Sequence, residues 1–301
     1  MRIRLGTRGS PLALAQAVLT EATLHAADPG VIVERVVIKT TGDRQSETGA
    51  PEAGKGVFVK EIEEALLADR VDVAVHSAKD LPVDVPAGLV LAAVLPREDP
   101  RDAFCSRDGR TLDELPAGAK VGTGSPRRAA QLRRLYPHLA FVPIRGNVDT
   151  RLRKMREGEV DGAVLARAGL VRLGLATAIT ELLPAEVCLS APGQGAVGLE
   201  ARLADAATRA VLARVNDAPA FAAVTAERAF LRRLGGGCKT PIAALAVAEG
   251  DDLKLHGYIG EEEGARFVAG SAIAPAGDAE VLGVHLAERL LGEGAQELLD
   301  E

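Results

Sequence analysis

Three kinds of side chain in this sequence could carry chemistry. The first is the acid Asp80, next to Lys79 in "VHSAKDLP", where the apolar run "DVAV" ends. A carboxylate among cations stays ionised and can stabilise a developing positive charge or exchange a proton. The same acid could instead cap an Asp-Leu-Pro turn. His76 beside it has no second His or acid at a spacing that makes a metal site or a serine triad. The second is Cys238 in "RRLGGGCKTP", one of three cysteines. Gly235–Gly237 end a helix and present this thiol, whereas Cys105 in "DAFCS" and Cys188 in "EVCLS" read as core residues. A helix C-terminus does not lower a thiol pKa, although Lys239 and nearby arginines could. That setting suits a long-lived covalent bond better than rapid turnover, and spacing alone leaves the bonded group open. The third is arginine near glycine-rich turns: Arg8, Arg127, Arg128, Arg145 and Arg151. A guanidinium grips carboxylate or phosphate through two parallel hydrogen bonds. In a chain of net charge −6, arginines so placed suggest a small polyanion rather than nucleic acid. Ordinary surface charge is the other reading of any one of them.

Local structure must place these groups. "GTRGSPLALAQ" (6–16) and "GTGSPRRAAQ" (122–131) each pass from a strand through Gly-Thr and Ser-Pro into a helix. Ser10 and Ser125 are natural N-caps, with Pro11 and Pro126 at the first helical position. Backbone N–H groups at such a start favour an anion, and Thr123 adds a hydroxyl. Neither turn ends as a nucleotide P-loop does, so ATP is not indicated. "DVAVHSAKDLP" and "DGAVLARAGL" form a weaker second echo. Two related domains facing a cleft explain both echoes; so does the frequency with which Ser-Pro starts helices. Asp80 falls beyond a buried strand, where ligands of open α/β sheets bind. "IRGNVDTRLRK" puts Arg145 at a strand end and Arg151 in a helix start. "APGQGAVGLE" is a glycine-rich crossing in which Gln194 binds a ligand or the glycines form a hinge.

Short apolar strands, "RIRLG", "VIVERVVIKT", "DVAVHS" and "LVLAAVLP", alternate with helical stretches, and the pattern restarts near position 120 with "KVGTG", "FVPIRG" and "GAVLA". This is an α/β pattern. Beyond about 218 come a helix, three strands and one long helix from about Ala279 to Leu299, which read as a small α+β domain. The polar tract 46–56 reads as a loop and a candidate lid. At 301 residues, 47% of them hydrophobic, the chain suits two or three domains. It has no run long enough to span a bilayer, and "MRIRLGTRGS" lacks a signal region. A soluble, cytoplasmic protein without disulfides is expected.

Taken together, these stretches resemble the porphobilinogen deaminase family. The resemblance runs in order through almost the whole chain, adding "KTTGD", "GKGVFVKEIEEALL", "REDPRDAF", "LARAGLVRLGL" and "TAERAFLRRLGGGCKTPI" to those above. It implies an enzyme that joins four porphobilinogen molecules head to tail into hydroxymethylbilane, releasing ammonia each time. It implies a dipyrromethane cofactor held by a thioether, here at Cys238. Asp80 becomes the catalytic carboxylate. Arg8, Ser10, Lys79, Asp80, Thr123, Ser125, Arg127, Arg128 and Gly146 become cofactor contacts. Arg8, Ser10, Gln16, Arg145, Arg151, Arg172 and Gln194 become substrate contacts, with Lys55 and Phe58 in the mobile lid and no metal. The implied fold is two type II periplasmic-binding-protein-like α/β domains around a cleft plus a small C-terminal α+β domain. Domain 1 would span 1–98 and 195–217, domain 2 99–194 and domain 3 218–301. The implied enzyme is a monomer acting on porphobilinogen and the growing pyrrole chain, without nucleic acid or membrane. Gly124, Pro126 and Gly235 depart from residues common in the family, but none removes a group given a role. The main rival is a non-catalytic two-domain binding protein for a small polycarboxylate. A thiol acyltransferase would need a base near Cys238, and no neighbour supplies one.

Overall fold

The structure, a computed structural model, describes residues 1–42, 59–235 and 240–300. Lys55, Phe58, the tract 46–56, Cys238 and Lys239 lie outside the described residues. The chain forms two compact units, Met1–Glu98 with Gly195–Phe221, and Asp99–Gln194 with Ala222–Glu301.

The first unit is built on a five-stranded sheet. Its strands are β1 (Arg2–Thr7), β2 (Ile32–Val37), β3 (Val73–Ser77), β4 (Leu89–Val94) and β10 (Val197–Arg202), in the order β2-β1-β3-β10-β4. The first three run parallel, and β10 lies antiparallel between β3 and β4. Alternation along β3 sends Val73 and Val75 into the core that includes Ala17 and Leu24 of helix α1 (Pro11–Ala27). It sends Ala74 into the opposite core, under Ile62, Ala65 and Leu66 of helix α2 (Lys60–Leu67). Burial from both faces is what the near-continuous apolar strands called for.

The second unit repeats this plan. β5 (Asp102–Ser106), β6 (Lys120–Gly122), β7 (Ala140–Val142), β8 (Gly162–Ala166) and β9 (Glu181–Leu182) run in the order β7-β6-β8-β5-β9. Here too the first three are parallel, and the next, β5, is antiparallel to both its neighbours. The equivalent strands β1 and β6 lead into the two Ser-Pro helices, α1 and α3 (Pro126–Leu135), so the sequence echo coincides with a topological one. The same unit holds an antiparallel sheet of β11 (Ile242–Glu249), β12 (Asp252–Gly260) and β13 (Phe267–Pro275). Phe230 from the helix Ala218–Leu234 and Leu286 from the helix Ala279–Leu290 share its core. The expected single C-terminal helix is interrupted. Its ladder breaks over Leu291–Ala295, where Gly294 takes φ 108°, a conformation glycine adopts without steric cost.

The antiparallel strands β5 and β10 are absent from the sequence reading, which took "APGQGAVGLE" as a crossing segment and "DAFCS" only as the site of a core cysteine. Each carries a fully buried acid, Asp102 or Glu200, which breaks the apolar run that marks its neighbours. Among the described residues no helix is long and apolar enough to cross a membrane.

Candidate active site

In the first unit, β1 and β3 are parallel neighbours, so their carboxyl ends lie on one sheet edge. Arg8 and Ser10 follow β1; the turn Ala78–Asp80 follows β3. Four expected contact residues, Arg8, Ser10, Lys79 and Asp80, therefore share that edge although about 70 positions separate the pairs. Ser10 Oγ accepts from Ala13 N at 3.4 Å, with Pro11 behind it in the first turn. Thr7 Oγ1 donates to Ala13 O at 3.1 Å and ties the strand end to the helix. Arg8 and Ser10 are half-buried, Lys79 and Asp80 exposed. Gln16, an expected substrate contact, is buried and donates to Ser77 Oγ at 2.9 Å.

The second unit presents a matching edge. β6, β7 and β8 are parallel, and after their carboxyl ends come Thr123–Ser125, Arg145–Gly146 and the short helix Arg167–Arg172. Ser125 Oγ accepts from Arg128 N at 3.4 Å, and Ser125 N donates to Thr123 Oγ1 at 3.2 Å. Arg151, in helix α4 (Val148–Arg156), donates through Nε to Gly146 O at 2.7 Å. Its guanidinium stands over the turn: a Cβ built on Gly124 would lie 3.8 Å from Nη2. Gly146 has φ +106°, and a Cβ there would come within 2.6 Å of Thr150, so the turn that offers its carbonyl to Arg151 requires glycine. Arg145 is exposed, and Arg172, half-buried, ends its helix.

Arg127 and Arg128, read as counter-charges near a glycine-rich turn, and Gln194, read as a ligand contact, have a buried setting that the sequence did not show. All three are buried and converge on Asp102. Arg127 Nη1 donates to Asp102 Oδ2 at 2.7 Å. Arg128 donates to Oδ1 from Nε at 3.0 Å and from Nη2 at 2.7 Å, and Gln194 Nε2 reaches the same oxygen at 2.8 Å. Burial alone would raise the Asp102 pKa, but the two guanidinium charges and their hydrogen bonds outweigh it and hold the group well below the usual carboxylate range. Asp102 and the two arginines together carry one surplus positive charge at the start of α3. Sequence reasoning missed Asp102. Its stretch "REDPRDAF" was noticed, but no local spacing links this acid to arginines 25 and 26 positions away. Cys188 adjoins the cluster, its Sγ 3.4 Å from Asp102 Oδ2, and burial first pushes its pKa up to about 12. Cys105 is likewise buried and pushed up to about 12, so both thiols are core residues, as expected.

Asp102→Ala would leave two buried guanidinium groups without their counter-charge. We expect a loss of about 3–5 kcal/mol in unfolding free energy, measured by urea denaturation. A loss under about 1 kcal/mol, the scale of a surface pair, would show that the cluster does not hold the turn.

Each edge by itself offers a helix start with a hydroxyl cap and cationic side chains, donors that suit carboxylates. Arg127 Nε is buried with no hydrogen-bond partner. Among the described residues no cluster of His, Cys, Asp and Glu could hold a metal ion.

The family profile "Porphobilinogen deaminase, dipyromethane cofactor binding domain" matches residues 3–210, and "Porphobilinogen deaminase, C-terminal domain" matches 221–292. A protein of Roseiflexus castenholzii called porphobilinogen deaminase is 52% identical over 298 residues, 99% of this chain and 98% of its own. One of the same name from Geobacter sulfurreducens is 50% identical over 301 residues, covering 100% of this chain and 94% of that one. Among solved structures, the methionine binding protein MetQ covers 71% of this chain and 89% of its own at 15% identity and a TM-score of 0.45, too slight a likeness to weigh. With both profiles matching in order and such relatives aligned end to end, the chain belongs to the porphobilinogen deaminase family.

Proposed function

We propose a residue-level account of how this chain carries out its family's reaction. The protein is a transferase of tetrapyrrole biosynthesis, a hydroxymethylbilane synthase. It condenses four porphobilinogen molecules head to tail and releases ammonia at each addition. Its dipyrromethane cofactor, when bound, supplies the pyrrole carbon from which the chain grows. The non-catalytic polycarboxylate binder is not favoured, since the full-length relatives carry the enzyme's name.

Cys238 anchors the cofactor through its sulfur. Arg8, Ser10, Lys79, Thr123, Ser125 and Gly146 are its further contacts. Arg127 contributes its remaining Nε, and Arg128 acts through the surplus charge it leaves at the turn. Each pyrrole unit brings an acetate and a propionate, so every addition needs further cations. Arg145, Arg151 and Arg172 meet the incoming units. Gln16 and Gln194 act from beneath the contact layer, with Lys55 and Phe58 in the lid.

Asp80 is the catalytic carboxylate. Departure of ammonia from the substrate leaves a cation, and a fixed anion beside it lowers the barrier to forming it. The same oxygens accept pyrrole N–H hydrogen bonds and take the proton that a ring must lose. Lys79, one residue earlier, binds the carboxylates that arrive with the substrate. The observation that carries this reading is the shared carboxyl edge of β1 and β3, which groups Arg8 and Ser10 with Lys79 and Asp80. We further propose three domains with the boundaries given above, a monomer, and a place in the cytoplasm. The test is stoichiometry. Purified protein given porphobilinogen should release four ammonia molecules per linear tetrapyrrole. Substrate bound without ammonia release would leave only a binding protein.

A further inference from the structure

The strand end that carries Asp80 is gripped from both faces, on the α2 face by side chains given no part in the reaction and on the α1 face through Ser77 and Gln16. Successive residues of a strand point to opposite faces. Ser77 shares the α1 face with Val73 and Val75, and Gln16 of α1 donates to its Oγ at 2.9 Å. His76 shares the α2 face with Ala74. There its Nε2 stands 3.3 Å from Glu200 Oε2 on β10, with the two side chains 3% and 0% exposed. The register explains the meeting: Gly198 is the partner of His76 and Glu200 the partner of Ala74, so Glu200 lies diagonally across on the same face. Gly198 itself leaves room at the turn, since a Cβ there would lie 3.2 Å from Leu81 and 3.8 Å from Ala78. Neither Glu200 oxygen has a hydrogen-bond partner. Glu63 of α2 adds a second acid; burial first, and the charge on Glu200 second, push its pKa up to about 7.

Stability gives no reason for this arrangement. Buried polar groups with incomplete hydrogen bonding are costly. Replacing a buried ion pair with apolar side chains is often neutral or stabilising. Position does give a reason. His76 and Ser77 are the last two residues of β3, and the Ala78–Asp80 turn begins at once. The turn has its own backbone bonds, Ala78 N to Ala196 O at 3.0 Å and Leu81 N to Ala78 O at 3.3 Å. The His76 and Ser77 side chains add contacts on the two faces of the strand end.

We propose that His76 with Glu200 on one face, and Ser77 with Gln16 on the other, are positioning residues that set the direction in which β3 enters its turn and so aim Asp80. This rests on Asp80 being the catalytic carboxylate. A misplacement of about 1 Å at a reacting centre can cost about a hundredfold in rate.

The test is the double variant His76→Leu/Glu200→Leu, which keeps the volume and suits the apolar core around it. Its urea midpoint should equal or exceed that of the unaltered protein. Its kcat should fall by about ten- to a hundredfold with KM within about threefold. Amide hydrogen exchange over Ala78–Leu81 should quicken, a change visible without turnover. A kcat within twofold, with unchanged exchange in that segment, would overturn the proposal. If the double variant does not fold, Ser77→Ala removes the pin on the other face and is judged by the same readouts. Asp80→Asn runs alongside. If Asp80→Asn is active, the catalytic assignment fails and the positioning role falls with it. If Asp80→Asn is inactive while the double variant runs at full rate, only the positioning role fails.

Discussion

Asp80→Ala should give a protein that folds normally and no longer elongates. Asp80 is exposed at the end of a 3₁₀ turn, and surface substitutions away from special features usually change stability by about 0.5 kcal/mol or less. The catalytic loss should be far larger. Removing one group that stabilises transition-state charge typically costs about 10²–10³ in kcat. Here the same carboxylate also moves protons, worth about 10²–10⁴ where that role applies. The combined effect should take turnover below detection in a steady-state assay. Asp80→Asn separates the two roles. It keeps a hydrogen-bond acceptor for pyrrole N–H groups but carries no charge. Ammonia release by both variants, beside their circular dichroism and urea midpoints, checks the expectation. Near-normal ammonia release from folded Asp80→Ala would remove this residue from the mechanism.

The second large effect concerns Cys238. The described thiols, Cys105 and Cys188, are buried with raised pKa values, so neither is suited to act as a nucleophile. Cys238, which lies outside the described residues, is the remaining candidate among three cysteines. Cys238→Ser should abolish the thioether, because a serine hydroxyl is far less nucleophilic than a thiolate at neutral pH. The measurement is the intact mass of the denatured chain. The unaltered protein should carry the mass of one dipyrromethane and Cys238→Ser none. Activity should be lost with it. An unmodified chain that gains no mass after incubation with porphobilinogen would refute the covalent anchor. Full activity of Cys238→Ser would refute it as well.

Much of this site was legible because its signals are local. A Ser-Pro pair starts a helix from contacts within four residues, so Ser10 and Ser125 could be read as caps without knowledge of the fold, and both accept the expected backbone N–H. Asp80 could be placed beyond a strand because its turn follows directly from "DVAVHS". Gly235, with φ +63° just past the helix that ends at Leu234, is likewise a local C-terminal signal. The partners of Arg127 and Arg128 were not legible. A guanidinium looks the same in a sequence whether it faces a ligand or a buried acid. Gln16 was named only through the family resemblance, and its bond to Ser77, 61 positions on, had no local signal.

By itself the sequence determined the alternation of strands and helices, the doubled Ser-Pro turn, the separate character of the C-terminal third and the family. Each rests on hydrophobic period, capping chemistry or motif order, which act over a few residues. The resemblance implied that the first domain resumes at 195; the tertiary structure alone decided that the chain there forms β10, antiparallel between β3 and β4, and that it brings Glu200 beneath His76. It alone decided that Asp102 gathers two arginines and Gln194. Such pairings form when sheets close over long stretches of chain. Their energy comes from burial and partner geometry, neither of which has a local period to read.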